Sequence, residues 1–96
     1  MDIQKKLDGT TLTVAVTGYI DTVTAPQLEA ELALDAVEEL VLDISGVAYV
    51  SSAGLRVFLS TYKTMVKKRG MKIVGAQPAV LDVFKITGFT AIFNLA

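Results

Sequence analysis

The chain contains no cysteine and no histidine. Without cysteine, neither a disulfide framework nor a thiolate-held metal can form. Without histidine, the commonest general base and the commonest metal ligand are both missing. No apolar run reaches the roughly 18 residues that a membrane-crossing helix requires. The opening Met1-Asp2-Ile3-Gln4-Lys5-Lys6 lacks the apolar core of a secretory signal. A glycine-rich phosphate loop, a usefully spaced carboxylate pair, internal repeats, low-complexity tracts and linkers are absent as well. The expectation is a cytoplasmic protein without membrane insertion, metal or cofactor. Enzyme chemistry is poorly supplied: a serine nucleophile would have only a lysine or a carboxylate as its base.

What is present suits one compact core. Of 96 residues, 52% are hydrophobic and 20% charged, which fits a single domain spanning 1–96. The net charge is −1, but its sign is divided along the chain. Residues 1–50 hold nine acids and two bases, and residues 51–96 hold one acid and seven bases. Such a division either steers a partner or marks two solvated helix faces of opposite sign. The basic segment lacks interleaved exposed aromatics and the isoelectric point is near 5.2, so no nucleic-acid role is expected.

Ile3 to Leu7 reads as an edge strand, with Lys5 and Lys6 suiting its exposed side. Asp8-Gly9 marks a tight turn. From Thr11 to Thr17, Leu12, Val14 and Val16 alternate with threonines, the period of a strand. Thr24-Ala25-Pro26-Gln27 reads as a helix start in which Thr24 caps and Gln27 completes a capping box. Leu28 and Leu32 supply its buried stripe, and Glu29, Glu31, Asp35, Glu38 and Glu39 face water. Leu40 to Ile44 is a nearly all-apolar strand of the kind covered by helices, ended by the turn pair Ser45-Gly46. Ala53 to Arg69 is the clearest helix, with Leu55, Phe58, Leu59, Tyr62, Met65 and Val66 at offsets of three and four. Lys67, Lys68 and Arg69 load its last turn, and Gly70 follows. Met71 to Gly75 is a strand, Pro78 opens a third helix ended near Gly88, and Ala91-Ile92-Phe93 is a brief last strand. A hairpin followed by alternating helices and strands implies a partly parallel α/β sheet.

The segment Tyr49-Val50-Ser51-Ser52-Ala53-Gly54-Leu55-Arg56 concentrates the functional signal. It sets two hydroxyls at a helix N-terminus, where N–H groups lack partners and the dipole is positive. Ser52 is then either a plain cap or an acceptor of phosphate, whose charge that end of a helix stabilises. Ser51 reads as the cap or a loop hydroxyl and is the second choice as acceptor.

Four stretches together resemble the STAS domain of bacterial anti-sigma factor antagonists. Thr17-Gly18-Tyr19-Ile20-Asp21 is similar to the family's Gly-x-Leu-Asp after the second strand. Leu42-Asp43-Ile44-Ser45-Gly46-Val47 is similar to its Asp-Leu-Ser-x-Val strand end, and Ser51-Ser52-Ala53-Gly54-Leu55 to its Asp-Ser-[Ser/Thr]-Gly-Leu loop. Gly70 to Val74, Pro78 and Val83 to Gly88 resemble its later strand and helix. The resemblance implies a mixed, partly parallel sheet of four to five strands, with helices mainly on one side. It implies a non-enzymatic partner switch. The unphosphorylated chain would bind an anti-sigma factor that is also a serine kinase, phosphorylation of Ser52 would break the complex, and a serine phosphatase would reset it. The implied partner surface comprises Asp21, Ser51, Ser52, Ala53, Gly54, Leu55 and Arg56. The alternative is a STAS-like scaffold of a stress-signalling assembly, or an accessory subunit of a lipid transporter.

The chain departs from the family at three places. Ser51 stands where the family has aspartate, and Arg56 where many members have glycine. Arg56 lies one helical turn after Ser52, placed to pair with a phosphate. The sequence also stops at Ala96, where members usually continue into one more helix. Apolar surface left uncovered there would be offset by self-association, so the expected state is a monomer or weak homodimer.

Overall fold

The computed structural model describes residues 1–91 and 93–95. Strand β1 (Asp2–Asp8) pairs antiparallel with β2 (Thr11–Ile20), with Asp8 opposite Thr11. The two-residue connection is therefore Gly9-Thr10, and Gly9 takes φ 62°, a left-handed conformation open to glycine at little cost. Three helices follow: α1 (Ala25–Glu31), α2 (Ser52–Met65) and α3 (Pro78–Thr87). Between and after them run β3 (Glu39–Val50), β4 (Met71–Val74) and β5 (Asn94–Leu95). The sheet has the order β1-β2-β3-β4-β5, with β2 to β5 parallel. Lys5 on edge strand β1 pairs with Glu31 at 2.9 Å.

The helix-covered face carries the core. Leu12, Val14, Val16 and Ile20 of β2 are buried, as are Leu40, Leu42 and Ile44 of β3, and they pack with Phe58, Phe84 and Phe93. The three phenylalanine rings meet edge to face, with centroids 5.7–6.3 Å apart, a favoured arrangement of aromatic quadrupoles.

The expected turn at Ser45-Gly46 is instead a bulge inside a twelve-residue strand. Ala15 lies opposite Asp43 but Thr17 opposite Gly46; Gly18 lies opposite Val47 but Tyr19 opposite Tyr49. β3 thus carries one extra residue at each of two places. Its buried positions shift accordingly, from a spacing of two (Leu40, Leu42, Ile44) to a spacing of three (Val47, Val50). Both bulges keep apolar side chains inward, and the Ser45 N–H donates to Asp43 Oδ1 at 3.0 Å. Asp43 is a local hydrogen-bond acceptor at the bulge.

Helix α2 ends four residues before the expected Arg69. A continuing helix would direct the Arg69 N–H to Met65 O; instead it donates to Glu38 O at 2.8 Å, and the Lys68 N–H closes a tighter turn on Met65 O. The Lys68 ammonium donates to Leu34 O at 2.6 Å and Val37 O at 2.8 Å, so it belongs to this joint and not to a solvated face. Val66, expected in the core, is exposed for the same reason. Leu59 and Tyr62 are half-buried, whereas Gly54, Val57 and Thr61 complete the buried face. The expected strand at Ala91-Ile92-Phe93 is also displaced: Phe89–Ala91 is a 3-10 turn, and pairing with β4 starts at Asn94. Ile92 lies outside the described residues. α3 runs from Pro78 to Thr87 and closes, near the expected Gly88, on that glycine at φ 78°, a left-handed cap.

Candidate functional site

The parallel strands β2 and β3 end at the same pole, and α2 starts there. The Ser51 N–H donates to Ile20 O at 2.8 Å, which ties the end of β3 to that of β2. Ser51 is extended (φ −84°, ψ 174°). Its carbonyl accepts from the Leu55 N–H at 2.9 Å, and its Oγ accepts from the Gly54 N–H at 3.3 Å. Ser51 is therefore the helix cap, and Ser52 is the first helical residue and exposed. The two adjacent hydroxyls are separated by role: one is used by the helix, the other faces outward. Among the described residues no side chain hydrogen-bonds the Ser52 hydroxyl.

Gly54 fixes how closely this turn approaches the sheet. A Cβ there would lie 2.6 Å from Ile20 Cγ2 and 2.9 Å from Val50 Cγ1, closer than carbon atoms pack. Gly54 and Leu55 are buried, Ser51 and Ala53 half-buried, and Ser52 and Arg56 exposed. Ser52 and Arg56 are thus the accessible residues of this turn, while Gly54 and Leu55 seat it from beneath.

Asp21 organises the loop between β2 and α1. Its Oδ1 accepts from the Val23 and Thr24 N–H groups, each at 3.0 Å, and its own N–H donates to Thr24 Oγ1 at 2.8 Å. Donation from the Thr24 N–H, opposed by slight desolvation and reinforced by the Val23 N–H, holds this carboxyl below its ordinary pKa. The expected capping box at Thr24 does not form: the Thr24 side chain makes no helix-cap bond. Its hydroxyl proton is shared between Tyr19 O at 2.9 Å and Asp21 Oδ1 at 3.1 Å, so it braces the Asp21 loop instead.

Three exposed apolar residues flank this pole, and the sequence reading assigns none of them a role. Tyr19 and Tyr49 are 61% and 51% exposed, with rings edge to face at 6.5 Å, and Val23 is 74% exposed. Tyr19 shares the parity of Thr11, Thr13 and Thr17 on β2; ending that strand at Thr17 hid the signal. Arg56, Glu29, Thr22, Ala25, Pro26, Ala53 and Val57 line an open groove of about 300 Å³ between α1 and α2. Among the described residues the only ion pair is Lys5–Glu31, so neither Arg56 nor Glu29 is engaged. Also among the described residues, no group of three His, Cys, Asp or Glu side chains is placed to hold a metal, and no helix is long and apolar enough to cross a membrane.

A one-sided, mostly parallel sheet with a capped helix presenting a free hydroxyl at its strand ends defines a known class of domain. The family model of the STAS domain matches residues 2–96, and the chain belongs to that family. It is similar to a Bordetella bronchiseptica protein named "Putative anti-sigma factor antagonist BtrV", with 41% identity over 95% of this chain and 81% of BtrV. The anti-sigma-B factor antagonist of Bacillus subtilis is 31% identical over 100% of this chain and 91% of that protein. Among solved structures, an anti-sigma factor antagonist from Mycobacterium paratuberculosis superposes with a TM-score of 0.86 at 32% identity, covering 98% of this chain and 83% of that one.

Proposed function

We propose that this chain is an anti-sigma factor antagonist that acts by partner switching, with Ser52 as the phosphorylated residue. The observation that carries the reading is the division of labour between adjacent serines: Ser51 caps α2, while Ser52 stands exposed on its first turn. The naming of its relatives as antagonists supports the same role. The unphosphorylated chain, working as a single cytoplasmic domain, binds an anti-sigma factor that is also an ATP-dependent serine kinase. The kinase transfers the γ-phosphoryl group to Ser52 Oγ: the Oγ–P bond forms, the bond from phosphorus to the β–γ bridging oxygen breaks, the hydroxyl proton is lost and ADP leaves. The phosphate adds about −1.5 to −2 charges at pH 7. That charge, set on a docking surface, repels an acidic partner face or stands poorly solvated in the interface, and the complex dissociates. A serine phosphatase hydrolyses the ester with water, releasing inorganic phosphate and restoring the hydroxyl. The chain is a substrate and a binding module in this cycle, not a catalyst.

The test is labelling. The chain is incubated with ATP and candidate anti-sigma factor kinases, and the modified residue is mapped by mass spectrometry. The expected result is phosphate on Ser52, lost in Ser52→Ala and retained in Ser51→Ala. Labelling at Ser51, or stable copurification with transporter subunits and no labelling by any such kinase, would overturn the reading.

A further inference from the structure

We propose that Arg56 is the built-in counter-ion of phosphorylated Ser52 and that Glu29 competes for it. The inference rests on the assignment of Ser52 as the modified residue and adds how the modified state is held. Ser52 and Arg56 are four residues apart on one regular helix, and both are exposed. That spacing sets them over the same strip of surface, one turn apart, within reach of each other's side chains. The guanidinium is not already taken: among the described residues the only ion pair is Lys5–Glu31. Arg56 stands at the rim of the open groove between α1 and α2, which Glu29 also lines. Moving toward a phosphate on Ser52 therefore breaks no ion pair within the described residues. Glu29 offers the guanidinium a single negative charge across the groove. A phosphoserine offers nearly two, with oxygens spaced for the fork of an arginine.

Without phosphate, Arg56 makes no ion pair within the described residues and stands one turn from an exposed hydroxyl. With phosphate, it folds over the ester, neutralises part of the added charge and covers one side of it. Arg56 thereby sets how much negative charge the modified surface shows a partner, and it slows removal of the phosphate.

The experiment places phosphoserine at position 52 during translation, so that no kinase is needed, and follows its second ionisation by phosphorus NMR. Arginine favours the dianion and lowers that pKa. The Arg56→Gln chain is expected to titrate about 0.15–0.4 pH unit higher than the unaltered phosphorylated chain, a ~1.4- to 2.5-fold change in proton affinity. Arg56→Lys is expected to fall between the two, since it keeps the charge but loses the fork. Glu29→Gln removes the competitor and is expected to move the titration slightly lower. The shifts shrink at about 1 M salt, where the screening length falls to about 3 Å. Superimposable titrations of the unaltered and Arg56→Gln chains at low salt would overturn the proposal. Absence of labelling by any kinase would refute the assignment of Ser52 and leave this measurement unaffected, so the two failures are distinguishable.

Discussion

Adding one methyl group at Gly54 tests the way α2 is seated. The new carbon would meet Ile20 Cγ2 at 2.6 Å, Val50 Cγ1 at 2.9 Å and Ile20 Cβ at 3.3 Å. Ile20 is fully buried and Val50 is 3% exposed. Both are β-branched residues with little rotational choice, so neither can turn away. Overpacking of this kind costs about 1–3 kcal/mol. Replacing glycine by alanine inside a helix returns about 0.5–1 kcal/mol, and less this close to the N-terminus. Gly54→Ala is therefore expected to lose ~1–2 kcal/mol. With a urea slope of about 1–3 kcal/mol per molar for a small protein, the unfolding midpoint falls by roughly 0.3–2 M. Relief requires α2 to lift from the strand ends, so labelling of Ser52 should also slow. Gly70→Ala is the comparison. Gly70 has φ 104° and nothing within 4 Å of its would-be Cβ; it carries a backbone cost of ~1–2 kcal/mol with no effect on labelling. A Gly54→Ala midpoint at or above that of the unaltered chain would refute the close seating of the first turn.

Other perturbations separate the remaining parts. Ser51→Ala removes the cap and is expected to lower stability by about 0.5–2 kcal/mol in chemical denaturation, while Ser52→Ala leaves it nearly unchanged. Asp21 has a depressed pKa in the folded chain, so its contribution is complete above the unfolded carboxylate pKa of about 3.9 and is lost as pH falls through the lower folded value. Asp21→Asn should accordingly flatten the acid side of the stability-against-pH curve; an unchanged acid limb would contradict the loop geometry. Lys68→Met strips two carbonyls of a charged donor and is expected to cost about 1–3 kcal/mol. Hydrogen exchange should show faster opening of residues 32–38, and equal protection would contradict the tie.

The sequence carried most of this architecture because its apolar periods are clean. Leu12, Val14 and Val16 alternate, and Leu55, Phe58 and Met65 recur at helical spacing, and all six are buried. What escaped depends on partners remote in sequence. Ser45-Gly46 has turn chemistry, but Ile44 and Val47 on either side are buried, so the core draws the chain through as a bulge. The end of α2 is set by Glu38, Leu34 and Val37, some thirty residues earlier. Thr24 holds the N-cap position of α1, as the sequence suggests, but its hydroxyl goes to Tyr19 O and Asp21 instead of to the helix. At the candidate site, local spacing sufficed to place Ser51 and Ser52 at the start of α2 and Arg56 one turn further on. The burial of Gly54 needed the position of Ile20 and Val50, and the Tyr19–Tyr49 pair needed the register of β2 on β3.

The most direct measurement compares the affinity of the chain for a candidate anti-sigma factor kinase before and after stoichiometric phosphate is placed on Ser52. The expected result is tight binding of the unmodified chain and a loss of at least ~10-fold on modification, about 1.4 kcal/mol, with Ser52→Asp weakened in the same direction. Equal affinity of the two forms would contradict the switch.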